Sequence, residues 1–239
     1  MAVSIAENAG KIRKAVSKAA VDAGRSPDEI RILAATKYTD RSGVEELVRS
    51  GIAIIGENRV QDAMKKLGAS DDGSQSNIHS VYPETEIHMI GHLQKNKVNQ
   101  ALELFDTLDA LDSIILADAL EKRLASRDRI LPVLIEIKLT GEQAKSGIFE
   151  GEVPALIDHV FSNCPHISVR GVMGMGPWDP NPETARPYYR KLKSIFDSIG
   201  KNIGGIETFD TISMGMSADF HVAIQEGATI VRIGRALFE

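Results

Sequence analysis

The sequence predicts an α/β fold, a closed (β/α)8 barrel of the TIM type with an extra helix at its N-terminus. Three observations predict it. Short apolar runs alternate with amphipathic helical stretches eight times over the 239 residues, the pattern of parallel βαβ units. The runs at Leu131–Ile137 and Ser168–Met173 are β-branched and almost continuously apolar, as expected of strands covered on both faces. A length of 239 residues without a composition break, a low-complexity tract or a longer repeat suits a single barrel of about 250 residues, so residues 1–239 are read as one domain. A doubly wound open sheet is the runner-up.

Val3–Ala23 sets Val3, Ile5, Ile12, Ala15, Val16, Ala19 and Ala20 between Lys, Arg and Glu, with Gly24 as a stop, and reads as an amphipathic leading helix. After Pro27 comes the first strand, Ile30–Thr36, then a helix opening at the capping candidate Asp40 and closing near Ser50-Gly51. Ile52–Ile55 precedes a helix over Glu57–Leu67, and Glu86–Ile90 precedes one through Lys97–Leu104. Between them Gly68–Pro83, rich in Ser, Asp and Gly, reads as a mobile loop. Leu104–Leu111 leads into a helix over Ser113–Ser126, Leu131–Ile137 into Val153–Phe161, and Ser168–Met173 into a helix within Pro182–Ile199. The last two strands, Asp210–Ser213 and Ala228–Ile233, precede helices around Ala218–Glu226 and Gly234–Phe238.

Composition removes several function classes. With 28 Lys+Arg against 33 Asp+Glu the chain carries −5 and has no basic block, so a phosphate backbone is repelled rather than collected and nucleic acid is not an expected partner. No apolar run approaches the roughly 20 residues that span a bilayer, and Met1–Gly10 lacks the basic and apolar segments of a leader. The single cysteine, Cys164, cannot form an internal disulfide. The expectation is a cytoplasmic protein without a membrane partner.

Barrel chemistry sits where strands end and βα loops begin. The first strand ends in Thr36-Lys37. An amine at a barrel mouth with Ile32, Leu33, Ala34 and Ala35 behind it is expected to be partly desolvated, which lowers its pKa and frees it for Schiff-base chemistry. Taken alone, the segment equally describes a lysine snorkelling out of the core. The ends of the seventh and eighth strands shift the balance. Ser213-Met214-Gly215-Met216-Ser217 offers two hydroxyls and a glycine before a helix, and Arg232-Ile233-Gly234-Arg235 offers a cation and a second glycine turn. Loops after strands seven and eight form the recurrent phosphate site of this barrel. Opposite a strand-one lysine, they suggest a ligand with a phosphate at one end and a carbonyl at the other. Pyridoxal 5′-phosphate meets that description, with Arg232 facing its pyridine nitrogen, an arrangement that makes the ring a weaker electron sink than pairing with Asp.

Along nearly its whole length the chain resembles the pyridoxal-phosphate homeostasis family, whose fold is that of the alanine racemase N-terminal barrel. The resemblance rests on Leu33-Ala34-Ala35-Thr36-Lys37, Gly56–Gln61, His88–Lys97, Lys145-Ser146-Gly147, Gly171-Val172-Met173, Ser213–Asp219 and Val231-Arg232-Ile233-Gly234. It implies that Lys37 forms the internal aldimine, that Ser213, Gly215, Ser217 and Gly234 hold the phosphate, that Arg232 meets the ring nitrogen, and that Asn58 and Met173 line the ring pocket. The chain departs from the family pattern at Asp109-Ala110-Leu111-Asp112-Ser113, where His-Ser-Val-Asp-Ser is usual, and at Gly174-Met175, where Thr-Ile is common. It also stops at Phe238-Glu239 without the usual glycine and short tail. The resemblance implies a barrel without the racemases' second, β-rich domain and its catalytic tyrosine. It therefore implies a monomeric binder or carrier of pyridoxal phosphate that meets apo-enzymes transiently and contributes to vitamin B6 and amino-acid balance, with no established turnover. An amino-acid racemase using the same cofactor is the first alternative. A Schiff-base aldolase acting through Lys37 or Lys138 is the second.

Other residues read more plainly. His88 and His92 have helical metal-ligand spacing but span a strand end without a completing Cys or carboxylate, so no metal is expected there. The stretch from His92 through Gln94, Lys95, Asn96 and Lys97 either fixes its loop or contacts an anion. Glu57 either orients Asn58 or, the favoured reading, complements the next helix dipole. Gly171–Gly176 lacks dinucleotide-binding spacing. Cys164, without a basic partner, reads as inert, and Tyr188, Tyr189 and Trp178 as helix packing.

Overall fold

The computed structural model describes residues 4–70, 72–140, 146–203 and 208–239. Val3 of the expected leading helix, Asp71 of the expected loop and Lys145 of the Lys-Ser-Gly motif lie outside them. Eight parallel strands close into a barrel in chain order. They are β1 (Arg31–Ala35), β2 (Ile54–Glu57), β3 (Glu86–Met89), β4 (Thr107–Leu111), β5 (Leu131–Ile137), β6 (Ile167–Gly174), β7 (Thr211–Ser213) and β8 (Ile230–Ile233). The closing seam aligns Leu33 with Arg232 and Ala34 with Ile233. This is the barrel and not the open sheet.

Around it run α1 (Ile5–Asp22), α2 (Arg41–Arg49), α3 (Val60–Leu67), α4 (Ile78–Val81), α5 (Val98–Ala101), α6 (Ile114–Ala125), α7 (Val153–Asn163), α8 (Arg186–Asn202) and α9 (Phe220–Gln225). Local chemistry sets several boundaries. The Asp40 carboxylate accepts from the Gly43 amide at the start of α2, and the Ser113 hydroxyl accepts from the Leu116 amide at the start of α6. The single turn α4 interrupts the stretch Gly68–Pro83 that the sequence reads as a loop. Asn77 caps it by accepting from the His79 amide, Ile78 is fully buried, and Arg49 donates to the Tyr82 hydroxyl.

Most of the apolar core fills the ring between strands and helices. Inside the barrel only Leu33, Ile54 and Ile230 cluster, with Ile90 against them. Polar side chains share this interior with them, and since side chains two residues apart lie on the same face of a strand, they can be located by counting along it. Counting back from Ile90 puts His88 and Glu86 inside, and counting on from Ile230 puts Arg232 inside. Buried among such strands, charged groups need partners.

The β5–β6 pairing slips at Val133/Leu134, and Gly171 sits just after the slip with φ +153°. A Cβ there would lie 1.8 Å from the Thr211 carbonyl oxygen of β7. Gly171→Ala is therefore expected to destabilise the fold by about 2 kcal/mol, seen as a lower urea midpoint with an unchanged slope. Among the described residues no helix is long and apolar enough to cross a membrane.

Candidate functional site

The C-terminal ends of the strands open into a cleft of about 930 Å³ lined by Lys37, Asn58, Glu136, Ser217, Arg232 and Gly234 among others. Lys37 follows β1 directly. Its backbone is held from below, where the buried Glu57 carboxylate at the end of β2 accepts from the Thr36 hydroxyl at 2.5 Å and from the Lys66 ammonium at 2.8 Å. Lys66, on α3, also donates to the Thr36 carbonyl at 2.6 Å. Glu57 thus neither orients Asn58 nor complements a helix start. It is half of an internal ion pair that fixes the strand end before Lys37.

The Lys37 side chain is exposed, with its ammonium 4.6 Å from the centre of the Tyr38 ring. This corrects the expectation of a desolvated amine, because the chain turns outward after Thr36. It also stands beside the phosphate-type loops rather than opposite them, since β1 closes on β8. A Cβ built on Gly234 would be 3.7 Å from Ala35, two residues before Lys37.

The loop after β7 is locked by Asp219. That buried carboxylate accepts from the Met216 amide at 2.6 Å and from the Tyr189 hydroxyl at 2.8 Å. Tyr189 therefore packs α8 and also steadies this loop. Gly215 turns the chain at φ +91°, where a Cβ would lie 2.5 Å from that of Ala223. The Ser217 hydroxyl accepts from the Gly234 amide at 3.3 Å, tying the two loops together. The amides of Ser217, Ala218 and Arg235 donate to no acceptor among the described residues.

Arg232 forms the floor. Its guanidinium donates to the Ser213 carbonyl and hydroxyl, each at 2.8 Å, and to the Gly174 carbonyl at 3.1 Å. Burial pulls it below its ordinary pKa, opposed by Tyr189 and by the carboxylates of Asp109 and Glu136. Ser213 is thus buried behind Arg232 and reaches it, not the open cleft. Met173 does not line the cleft either. It is aligned with Ser213 and Glu136 at a buried level of the wall, and Met175, two residues on, lines the cleft instead. Of the eight predicted residues, Lys37, Asn58, Ser217, Arg232 and Gly234 line it, while Met173, Ser213 and Gly215 support it.

Sequence reasoning missed Glu136, a lone carboxylate in an otherwise apolar strand. Burial pushes its carboxyl up, with the Ser146 hydroxyl opposing at 2.9 Å, and its second oxygen has no partner among the described residues. It also missed the environment of His88. Carboxylates flank this buried imidazole, Asp109 at 2.9 Å on Nδ1 and Glu86 at 3.3 Å on Nε2, and Arg31 grips Glu86 beneath. The departure at Asp109 from the family pattern is therefore the counterion of His88. His92, also on the cleft lining, meets Asp112 at 2.8 Å through Nδ1.

No protein-family model matches the chain. It is 35% identical over 232 residues to the pyridoxal phosphate homeostasis protein of Aquifex aeolicus, covering 97% of this chain and 96% of that one. The solved structure of PipY from Synechococcus elongatus with pyridoxal phosphate bound is 25% identical, superposes with a TM-score of 0.82, and is covered in full by 98% of this chain. An alanine racemase from Bacillus anthracis shares the fold at 16% identity and a TM-score of 0.67, with 98% of this chain covering 55% of that one.

Proposed function

The chain belongs to the pyridoxal phosphate homeostasis protein family, and on that premise we propose that it holds pyridoxal 5′-phosphate at Lys37 and contributes to intracellular vitamin B6 and amino-acid balance. One observation carries the reading. Amides after β7 and β8 that donate to no acceptor among the described residues stand next to a strand-one lysine, so an anion and an amine-reactive group can be held on one small molecule. The residues present fit the cofactor. Ser217 and Gly234 would hold its phosphate with the Ala218 and Arg235 amides, Arg232 with its Ser213 partner would meet its ring nitrogen, and Asn58 and Met175 would line the ring pocket with Met173 buried behind. Gly215 shapes the phosphate loop. When bound, the cofactor supplies an aldehyde for covalent attachment and an electron-withdrawing ring.

Residues 1–239 act in this reading as a single binding domain, a cytoplasmic monomer. Exposed Tyr38 and Trp178 rim the cleft, so a bound molecule is reachable by apo-enzymes that meet the protein transiently. Borohydride reduction after incubation with pyridoxal phosphate, followed by peptide mass mapping, tests the reading. A pyridoxyl adduct on Lys37, absent from Lys37→Ala, is expected. A colourless protein, or an adduct confined to Lys138, defeats it.

A further inference from the structure

On the outer wall, away from the cleft, α6 and α7 bring Asp118, His159 and Cys164 together. One ligand atom from each lies within 4.8 Å of the others. The His159 Nε2 is 2.7 Å from an Asp118 oxygen, and Cys164 ends α7 as a buried, free thiol. A second pair steadies this corner. Glu121, one turn after Asp118 on α6, accepts from the His166 amide at 3.0 Å and meets its Nδ1 at 2.7 Å, pinning the segment that carries Cys164.

We propose that Asp118, His159 and Cys164 form a zinc site on the outer wall of the barrel, with a solvent molecule as fourth ligand. The donor set of one sulfur, one nitrogen and one oxygen suits this borderline-soft ion. Bond lengths of about 2.3 Å to sulfur and about 2.0 Å to nitrogen and oxygen require only that the half-exposed Asp118 and His159 side chains draw in towards the fixed thiol. Binding replaces the thiol proton, which leaves to solvent, and uses the neutral imidazole. The ion then bridges α6, α7 and the segment before β6. On this proposal Cys164, which the sequence reads as inert, becomes a metal ligand.

The test uses the full chain, stripped with a chelator and titrated with zinc or cobalt chloride. One equivalent is expected to bind with micromolar or tighter affinity and to raise the thermal midpoint. Bound cobalt is expected to show the strong red d–d bands of a four-coordinate thiolate site, at wavelengths beyond pyridoxal absorption. Cys164→Ser and His159→Gln should abolish the bands, and Asp118→Asn, on an exposed carboxylate that leaves the fold intact, should weaken binding at least tenfold. No stoichiometric binding, weak six-coordinate cobalt bands, or a spectrum unchanged in Cys164→Ser or Asp118→Asn would overturn the site. Because none of its ligands lines the cleft, the same affinity is expected with and without pyridoxal phosphate, and a dependence on it would count against this placement.

Discussion

Arg232→Ala is expected to destabilise the protein by about 3–5 kcal/mol, the usual result of removing one partner from a buried ionic network. Arg232 is 5% exposed, and its guanidinium donates to three oxygens, on Ser213 and Gly174. Without it those acceptors lose their donor, and the buried Glu136 and Asp109, each with one oxygen unpartnered among the described residues, lose the positive charge that the Arg232 guanidinium holds near them. Urea unfolding should show the loss, and adding Glu136→Gln to Arg232→Ala should recover part of it, since the two groups are coupled. A change below about 1 kcal/mol, within the range of ordinary surface substitutions, would mean that the floor of the cleft is not held by Arg232. Cofactor retention in this variant should also fall. Its measurement belongs well below the lowered unfolding midpoint, where loss of the site and loss of the fold are separable.

The second large effect follows pH. Burial alone would hold His88 neutral, but the charge and hydrogen bond of Asp109, followed by Glu86, override it and raise the imidazole to about 9. An unfolded histidine titrates near ~6.5. The folded state therefore holds the proton more tightly, so the stabilisation is complete below about pH 6.5 and is lost as pH rises through about 9. That shift corresponds to about 3 kcal/mol. Glu86, lowered to about 2 chiefly by the His88 hydrogen bond and held also by Arg31, reports the same contact from the other side and adds no separate energy. Unfolding free energies measured from pH 6 to 9.5 should fall across that window, and His88→Asn should flatten the slope. A wild-type profile as flat as the variant's would remove the His88–Asp109 pair as its cause.

Neither effect was legible in the sequence, for a common reason. His88 and Asp109 are separated by a helix and a loop, and only the pairing of β3 with β4, which sets His88 opposite Thr107, brings them together inside the barrel. Arg232 was legible as a strand-end cation, whereas its burial among carboxylates was not. What the sequence did carry was whatever depends on period and on glycine. The eight strands showed as apolar runs, and Lys37, Ser217 and Gly234 showed as polar or turn residues following them. Met173 was misplaced by one pleat, since the alternation that identifies a wall residue does not say where the wall stops and the mouth begins. Glu136 did leave a signal, a carboxylate interrupting Leu131–Ile137. The turn at Ile78–Val81 hid among Ser, Asp and Gly because its buried anchor is a single isoleucine.

The strut beneath Lys37 has a kinetic consequence. Glu57 and Lys66 clamp the chain at Thr36, while the amine beyond it stands exposed to solvent. A tether with a rigid root and an exposed tip needs no rearrangement of the backbone before it reacts. Capture of pyridoxal phosphate should therefore proceed at an observed rate that climbs linearly with ligand concentration, without the plateau that a slow opening step imposes.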